Sequence, residues 1–402
     1  MINLEQFISR FVTKRNISMF HSDLKSNQDE LSQRIIGKTV LVIGGAGSIG
    51  SSFIKAILPF RPKAMVIVDT NENALAELTR DLRSTKGMYV PNDYVPYPMD
   101  FGSPVFKKMF ISRGGFDIVA NFSAHKHVRS EKDIYSIEAL LRNNVLNAKI
   151  LLDLLEQYPP EEYFCVSTDK AANPVNIMGA SKRIMEDLIF AYSDKFPVKT
   201  ARFANVAFSN GSLPAGFLAR IQKRQPLCAP TDTKRYFVSP EESGQICMLA
   251  CMLGNNREIF FPKLEEAQMM TFDAIATNLL HEYGYEVLEC TSDEEAIEKA
   301  EALKDNGKQY PVHYSVSDTS GEKAFEEFYT DTEAVDRDRL SALGVIIDKP
   351  IPSRERVHRL LERLTAVFEK DGTTKEEIVE IIREYLPNFE HIEKGKSLDS
   401  KM

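Results

Sequence analysis

Apolar runs of strand length alternate with segments of helical period through the first half of the chain. TVLVIGGAGSIGSSFIKAIL (39–58) reads as a buried strand, a glycine turn and a helix. MVIVD (Met65–Asp69) is a second buried strand, followed by the helical NALAELTRDLRS. YVPYPMD closes a third strand at Asp100, FDIVANFSA (Phe116–Ala124) is a fourth and EEYFCVSTD (Glu161–Asp169) a fifth. VKTARFANV (Val198–Val206) would extend the set. Uninterrupted apolar strands alternating with helices predict an α/β fold, a Rossmann-like doubly wound parallel sheet with helices on both faces.

After about Gly211 the pattern turns irregular, with proline loops (LPAGF, QPLCAP, VSPEES) between short helices, as in a smaller substrate lobe grafted on the core. TSDEEAIEKAEALKDNGKQY (291–310) is an acidic, helix-like segment. Beyond Ser353 come two amphipathic helices, RVHRLLERLTAVFEK and KEEIVEIIREYL, separated by Asp371-Gly372, with Thr373 and Glu376 as a capping box. Before the first strand, residues 1–36 read as one or two short helices, with clear order beginning at Lys38. The division expected is a helical arm (1–36), a nucleotide-binding domain (37–210), a substrate lobe with strand returns to the core (211–350) and a helical extension (351–402).

Composition narrows the function classes. Of 402 residues, 50 are Lys or Arg and 58 Asp or Glu, a net charge of −8 that disfavours a dedicated nucleic-acid binder. Hydrophobic residues at 43% and charged residues at 27% are those of a globular protein. No stretch approaches the roughly 20 apolar residues of a membrane span. MINLEQFISRFVTKR lacks the apolar core and cleavage site of a signal peptide, and a helix lying on the protein itself is expected there. The five cysteines form no CxxC pair and do not match the histidines at zinc-like spacing, so reduced thiols, a cytoplasmic location and no metal are expected. Cys247 and Cys251 have the spacing of a helix core.

The candidate chemistry lies at strand ends. Gly44, Gly47, Ser48, Ile49 and Gly50 belong to GGAGSIG, placed between a strand and a helix, where glycines let the backbone approach a pyrophosphate and the helix start offers N–H groups. Asp69 closes the second strand, 19 positions after Gly50, and suits an adenosine ribose better than a 2′-phosphate, favouring NAD over NADP. Asp100 could hold the adenine amino group or cap a turn. The fifth strand ends in Thr168, Asp169 and Lys170, an adjacent acid and base where such sheets bind ligands. Met178 and Lys182 follow one helical turn apart, and Asn144, Arg202 and Asn205 are polar positions near other strand ends or helix starts.

GGAGSIG, SAHKHV, VSTDKAANPVNIMGASK, RFANV and RYFVSPEES together resemble the nucleotide-sugar 4,6-dehydratases of the extended short-chain dehydrogenase/reductase family, in the N-acetylhexosamine branch. The likeness runs from about Gly37 to Lys349. It implies oxidation of sugar C4 by NAD⁺, loss of water across C5 and C6, and return of the hydride to C6. It implies Lys170 as the C5 base, Asp169 as the acid for the C6 hydroxyl, and Lys182 on the nicotinamide ribose. Most of the superfamily has Tyr where this chain has Met178, so the C4 proton must go elsewhere, and Thr168, relayed through Lys182 or Asp169, is the candidate. Lys126 and His127 in SAHKHV, with Asn205 and Arg235, match substrate-binding positions. SDTSGEKAFEE (Ser317–Glu327) resembles a Gly-Glu-Lys element but lacks the preceding Arg-Pro, and receives no role. The implied substrate is UDP-GlcNAc for surface-glycan synthesis, and a homo-oligomer is expected, with the C-terminal helix pair offering a surface. The competing readings are a GDP-GlcNAc 4,6-dehydratase, a nucleotide-sugar C4 epimerase and a non-catalytic NAD-binding sensor or assembly subunit.

Overall fold

The buried runs become the centre of one nine-stranded sheet in the computed structural model, which describes residues 2–127, 131–303, 307–316 and 327–391. In chain order its strands are β1 (Thr39–Ile43), β2 (Ala64–Asp69), β3 (Asp93–Pro98), β4 (Ile118–Asn121), β5 (Glu162–Val166), β6 (Val198–Ala201), β7 (Glu258–Pro262), β8 (Ala334–Asp336) and β9 (Leu343–Ile347). Side by side they run β3-β2-β1-β4-β5-β6-β7-β9-β8. Neighbours from β3 to β7 are parallel, and β9 and β8 close the edge antiparallel. The strands read as unbroken apolar runs because each face meets its own core. Leu41, Ile43, Val66, Val68, Tyr163 and Cys165 point into one cluster, and Val40, Val42, Met65, Ile67, Phe164 and Val166 into the other. The strand order reverses between β1 and β4, which places a ligand crevice at their carboxyl ends.

A second sheet of three parallel strands, Glu286–Cys290, Gln309–Ser315 and Leu227–Pro230, forms the smaller lobe with helices Leu213–Gln222 and Phe272–Glu282. Helix Pro240–Leu253 returns to the large sheet and buries Cys247 and Cys251 there. All five cysteines are thiols. No helix among the described residues is long and apolar enough to cross a membrane.

Several boundaries differ from the sequence reading. β3 ends at Pro98; Asp100 lies in the following turn, where its Oδ1 accepts Gly102 N–H at 2.8 Å just before helix Pro104–Arg113. The segment 198–206 is not one strand. β6 stops at Ala201, and Asn205–Val206 turns away to pair with Phe237–Val238 of the second lobe. The capping box of the last helix, Lys375–Tyr385, uses Thr374 and Glu377 rather than Thr373 and Glu376. Thr373 is taken by the preceding helix, Arg354–Phe368, whose last carbonyls at Val367 and just beyond at Lys370 accept its hydroxyl.

The arm is ordered well before Lys38. Helix Leu4–Phe7 continues as a π-helical turn to Val12, and Phe7, Ile8 and Val12 join the core of the second lobe. Helices His21–Ser26 and Gln28–Ile35 follow, and Phe20, Leu31 and Ile35 join a core of the large sheet. Arg15 forks onto buried Glu242 at 2.9 and 2.7 Å, and Asp23 accepts from Ser341 and Ala342. The C-terminal pair is likewise internal. Val357, Leu360, Leu364, Ile378 and Ile382 share one core with helix Ile177–Phe190, so the apolar faces expected to offer an oligomer surface are covered by the chain itself.

Candidate functional site

The turn after β1 is shaped by what glycine permits. Gly44 has φ +70°, and a Cβ there would lie 2.6 Å from Ser123 N, so only glycine lets the segment after β4 come this close. Gly47 precedes helix Ser48–Ile57 and has no side chain with which to cap it, leaving the first N–H groups of the helix to another acceptor. Asp69, at the end of β2, accepts Ala46 N–H at 3.0 Å and Asn71 N–H at 2.9 Å. Its carboxylate thus braces the turn, and each oxygen keeps a further lone pair. Ser48 Oγ accepts Asn210 N–H at 2.9 Å, which ties a loop leading into the second lobe to the same helix start. Ile49 is partly buried against the core. These residues fit a dinucleotide: a backbone cradle that a side chain would fill, an uncapped helix start and a carboxylate beside it. Asp100 is exposed, with one oxygen engaged in its turn.

The end of β5 gathers the second constellation. Thr168 precedes a 3₁₀ turn, Asp169–Ala171. The Thr168 hydroxyl donates to Asp169 Oδ1 at 2.5 Å, and Lys170 Nζ lies 3.0 and 3.3 Å from the two oxygens of the same carboxylate. Asp169 is buried, while the Lys170 side chain remains 28% exposed. This turn rests on helix Ile177–Phe190: a Cβ on Gly179 would approach Lys170 O to 2.7 Å, so glycine is required at the contact. Met178 is buried, and its backbone N–H is capped by Glu131 Oε1 at 2.9 Å. One turn on, Lys182 is buried and donates to Val166 O at 3.1 Å. Burial pushes the Lys182 ammonium pKa down, against the opposing pull of Cys165 and Glu186.

The loop after β4 is held by Asn144, which lies in a π-helical turn, Arg142–Leu146. Its side chain accepts His125 N–H at 2.8 Å, donates to His125 O at 3.0 Å, and donates to Ser181 Oγ at 3.0 Å. One buried amide therefore links the 123–127 loop to the residue before Lys182. Lys126 and His125 are both exposed, yet desolvation by the neighbouring protein lowers the pKa of each. His127 lies against Gly211 of the second lobe. Asn205 and Arg235 sit on short strand pairs of that lobe, and buried Arg235 donates to Lys234 O at 2.8 Å. Residues 317–326, which hold the Gly-Glu-Lys element, lie outside the described residues; Glu327 accepts from Asn173 Nδ2 at 3.0 Å.

Behind Thr168 lies a buried ionic cluster that the sequence reading misses. Glu186 accepts from Ser167 Oγ at 2.6 Å, from Arg202 at 2.8 and 2.7 Å, and from Lys349 at 2.8 Å. Arg202, fully buried, also forks onto Glu333 at 2.8 and 2.9 Å. In sequence Arg202 is only a polar strand end. The available signal for Glu186 is an acid one turn beyond Lys182 in an otherwise apolar helix face.

Comparison with known proteins places these residues in context. Residues 40–347 match the family model described as polysaccharide biosynthesis protein. A probable polysaccharide biosynthesis protein, EpsC of Bacillus subtilis, is 30% identical over 77% of this chain and 50% of its own length, so the chain spans half of that relative. An uncharacterized membrane protein of Methanocaldococcus jannaschii is 30% identical over 86% of this chain and 96% of its own. An inverting UDP-N-acetylglucosamine 4,6-dehydratase of Campylobacter jejuni is 26% identical over 61% and 73%. Among solved structures, Pen from Bacillus thuringiensis aligns with a TM-score of 0.63 at 19% identity, covering 82% of this chain and 98% of that one. The dTDP-glucose 4,6-dehydratase DesIV of Streptomyces venezuelae, a double mutant with NAD bound, aligns at 0.54 and 18%, covering 72% and 87%.

Proposed function

Because the chain belongs to the polysaccharide biosynthesis protein family, we propose that it is a nucleotide-sugar 4,6-dehydratase acting on a nucleotide-activated N-acetylhexosamine, UDP-GlcNAc being favoured. The observation that carries this reading is the Thr168–Asp169–Lys170 chain of hydrogen bonds at the end of β5. An epimerase needs only an acid–base partner at C4. An adjacent acid and base is what elimination of water requires.

NAD, when bound, supplies the hydride acceptor for C4 and returns the hydride to C6. The Gly44–Gly50 turn and the uncapped helix start would hold its pyrophosphate, Asp69 the adenosine ribose and Lys182 the nicotinamide ribose. Lys182 keeps donors beyond the one given to Val166 O. Thr168 accepts the C4 hydroxyl proton while its own proton passes to Asp169. The hydrogen bond from Thr168 to Asp169 supports this branch of the relay, and the buried thioether of Met178 takes no part in proton transfer. Lys170 removes the C5 proton, made acidic by the C4 ketone, Asp169 delivers its proton to the C6 hydroxyl as water leaves, and Lys170 gives its proton back to C5 when the hydride reaches C6. Lys126, His127, Asn205 and Arg235 are assigned to the nucleotide sugar. The reading includes a cytoplasmic homo-oligomer that serves surface-glycan synthesis.

The test is incubation of the purified chain with UDP-GlcNAc, and in parallel GDP-GlcNAc, with products followed by mass. Loss of one water is expected with the UDP sugar. A product of unchanged mass would replace this reading with a C4 epimerase, and absence of turnover with either sugar would leave a nucleotide-binding subunit.

A further inference from the structure

The second lobe brings together three side chains that lie far apart in sequence. Cys228 and His313 sit directly opposite each other on neighbouring parallel strands, and Asp293 is the first residue of helix Asp293–Glu301, which packs on the His313 strand and on the neighbouring strand Glu286–Cys290. His313 Nδ1 lies 2.5 Å from Asp293 Oδ1, and one ligand-type atom from each of the three residues falls within 4.8 Å of the others. All three are partly accessible. We propose that Cys228, Asp293 and His313 form a binding site for a zinc-like divalent cation, separate from the nucleotide site and independent of the dehydratase reading.

The chemistry of the donor set favours zinc. Thiolate, imidazole and carboxylate are its three common ligand types, and bond lengths of about 2.0–2.3 Å place tetrahedral ligand atoms roughly 3.5 Å apart. The cluster reaches that spacing if the cysteine closes slightly and the His–Asp contact opens slightly. Thiolate and carboxylate charges together match a divalent cation, and an all-oxygen cation such as magnesium would not select a thiol. The parallel register holds Cys228 and His313 on one face, so no strand shift is needed. Cys290 continues the same row on the far side of His313, but its thiol bonds Leu288 O at 3.5 Å and stands outside the trio. The fourth position is left to water. A bound cation would tie helix Asp293–Glu301 to two strands that are distant in sequence, and would stabilise this lobe by mass action.

Sequence spacing does not reveal this site, because the ligands are 65 and 20 positions apart and are joined only by strand pairing.

The test uses the full chain, stripped with chelator and titrated with Co²⁺. The expected result is one equivalent bound, with a near-ultraviolet thiolate-to-cobalt absorption that Zn²⁺ abolishes by displacement. Cys228→Ser should remove that absorption, and His313→Gln or Asp293→Asn should weaken binding by more than about ten-fold. Cys290→Ser should leave both unchanged, and circular dichroism should show each variant folded. Wild-type protein that binds no cobalt, or binds it without the thiolate absorption, overturns the proposal. So does an absorption that survives Cys228→Ser.

Discussion

Replacing Glu186 by Gln tests whether the buried ionic cluster supports the reacting strand end. The carboxylate accepts four hydrogen bonds, from Ser167, twice from Arg202 and from Lys349, and it is fully buried. Gln keeps the shape but offers one oxygen, and its amide opposes donors of Arg202 or Lys349. Removing one member of a buried ion pair costs about 3–5 kcal/mol, because the remaining charges stay desolvated. At about 2.1 cal/mol/K of unfolding entropy per residue, 402 residues give roughly 0.8 kcal/mol/K, so the melting temperature should fall by about 4–6 °C. Burial alone would raise the Glu186 pKa, but Arg202 and Lys349 overcome that and hold it well below the carboxylate range. A carboxylate depressed in the folded state contributes stability that is present above its unfolded value, about 4.3, and lost as pH falls through the folded value. Urea titrations of wild type and variant should therefore differ most at neutral pH and converge in acid. A difference below about 1 kcal/mol at pH 7, or one that widens as pH falls, would refute the argument.

Three further outcomes follow from the site. Lys170→Ala should lower dehydration by about 10²–10⁴-fold, while NAD affinity, read by calorimetry, stays within a factor of two or so. Asp69→Ala removes a charged acceptor worth about 1.5–3 kcal/mol, so NAD should bind about ten- to hundred-fold more weakly and lose its advantage over NADP; unchanged preference would move the ribose elsewhere. Asn144→Ala cuts the link between the 123–127 loop and Ser181, so kcat should fall about ten-fold or more with little change in secondary structure by circular dichroism.

How much of this protein is legible along the chain depends on the range of the interaction. The unbroken apolar runs of β1, β2 and β5 announce a parallel sheet with two covered faces, and GGAGSIG and STDK announce the turns that follow β1 and β5, because each is a local pattern whose geometry follows from neighbouring residues. The end of β3 and the cap of the last helix fall one or two positions from where the pattern puts them, since turn hydrogen bonds at Asp100 and Thr373 compete with the simple continuation of period. The order of the arm escapes the sequence for a related reason: its polar composition conceals Phe7, Phe20 and Leu31, whose burial depends on surfaces supplied by distant segments of the large sheet or by the second lobe. Tertiary structure alone decides the partners of charge. Glu186 meets Arg202 and Lys349, Arg202 reaches on to Glu333, and Cys228 meets Asp293 and His313, through contacts that no sequence period encodes. A buried charge is tolerated only where its counter-charge arrives from another element, and strand order and lobe packing determine which element that is.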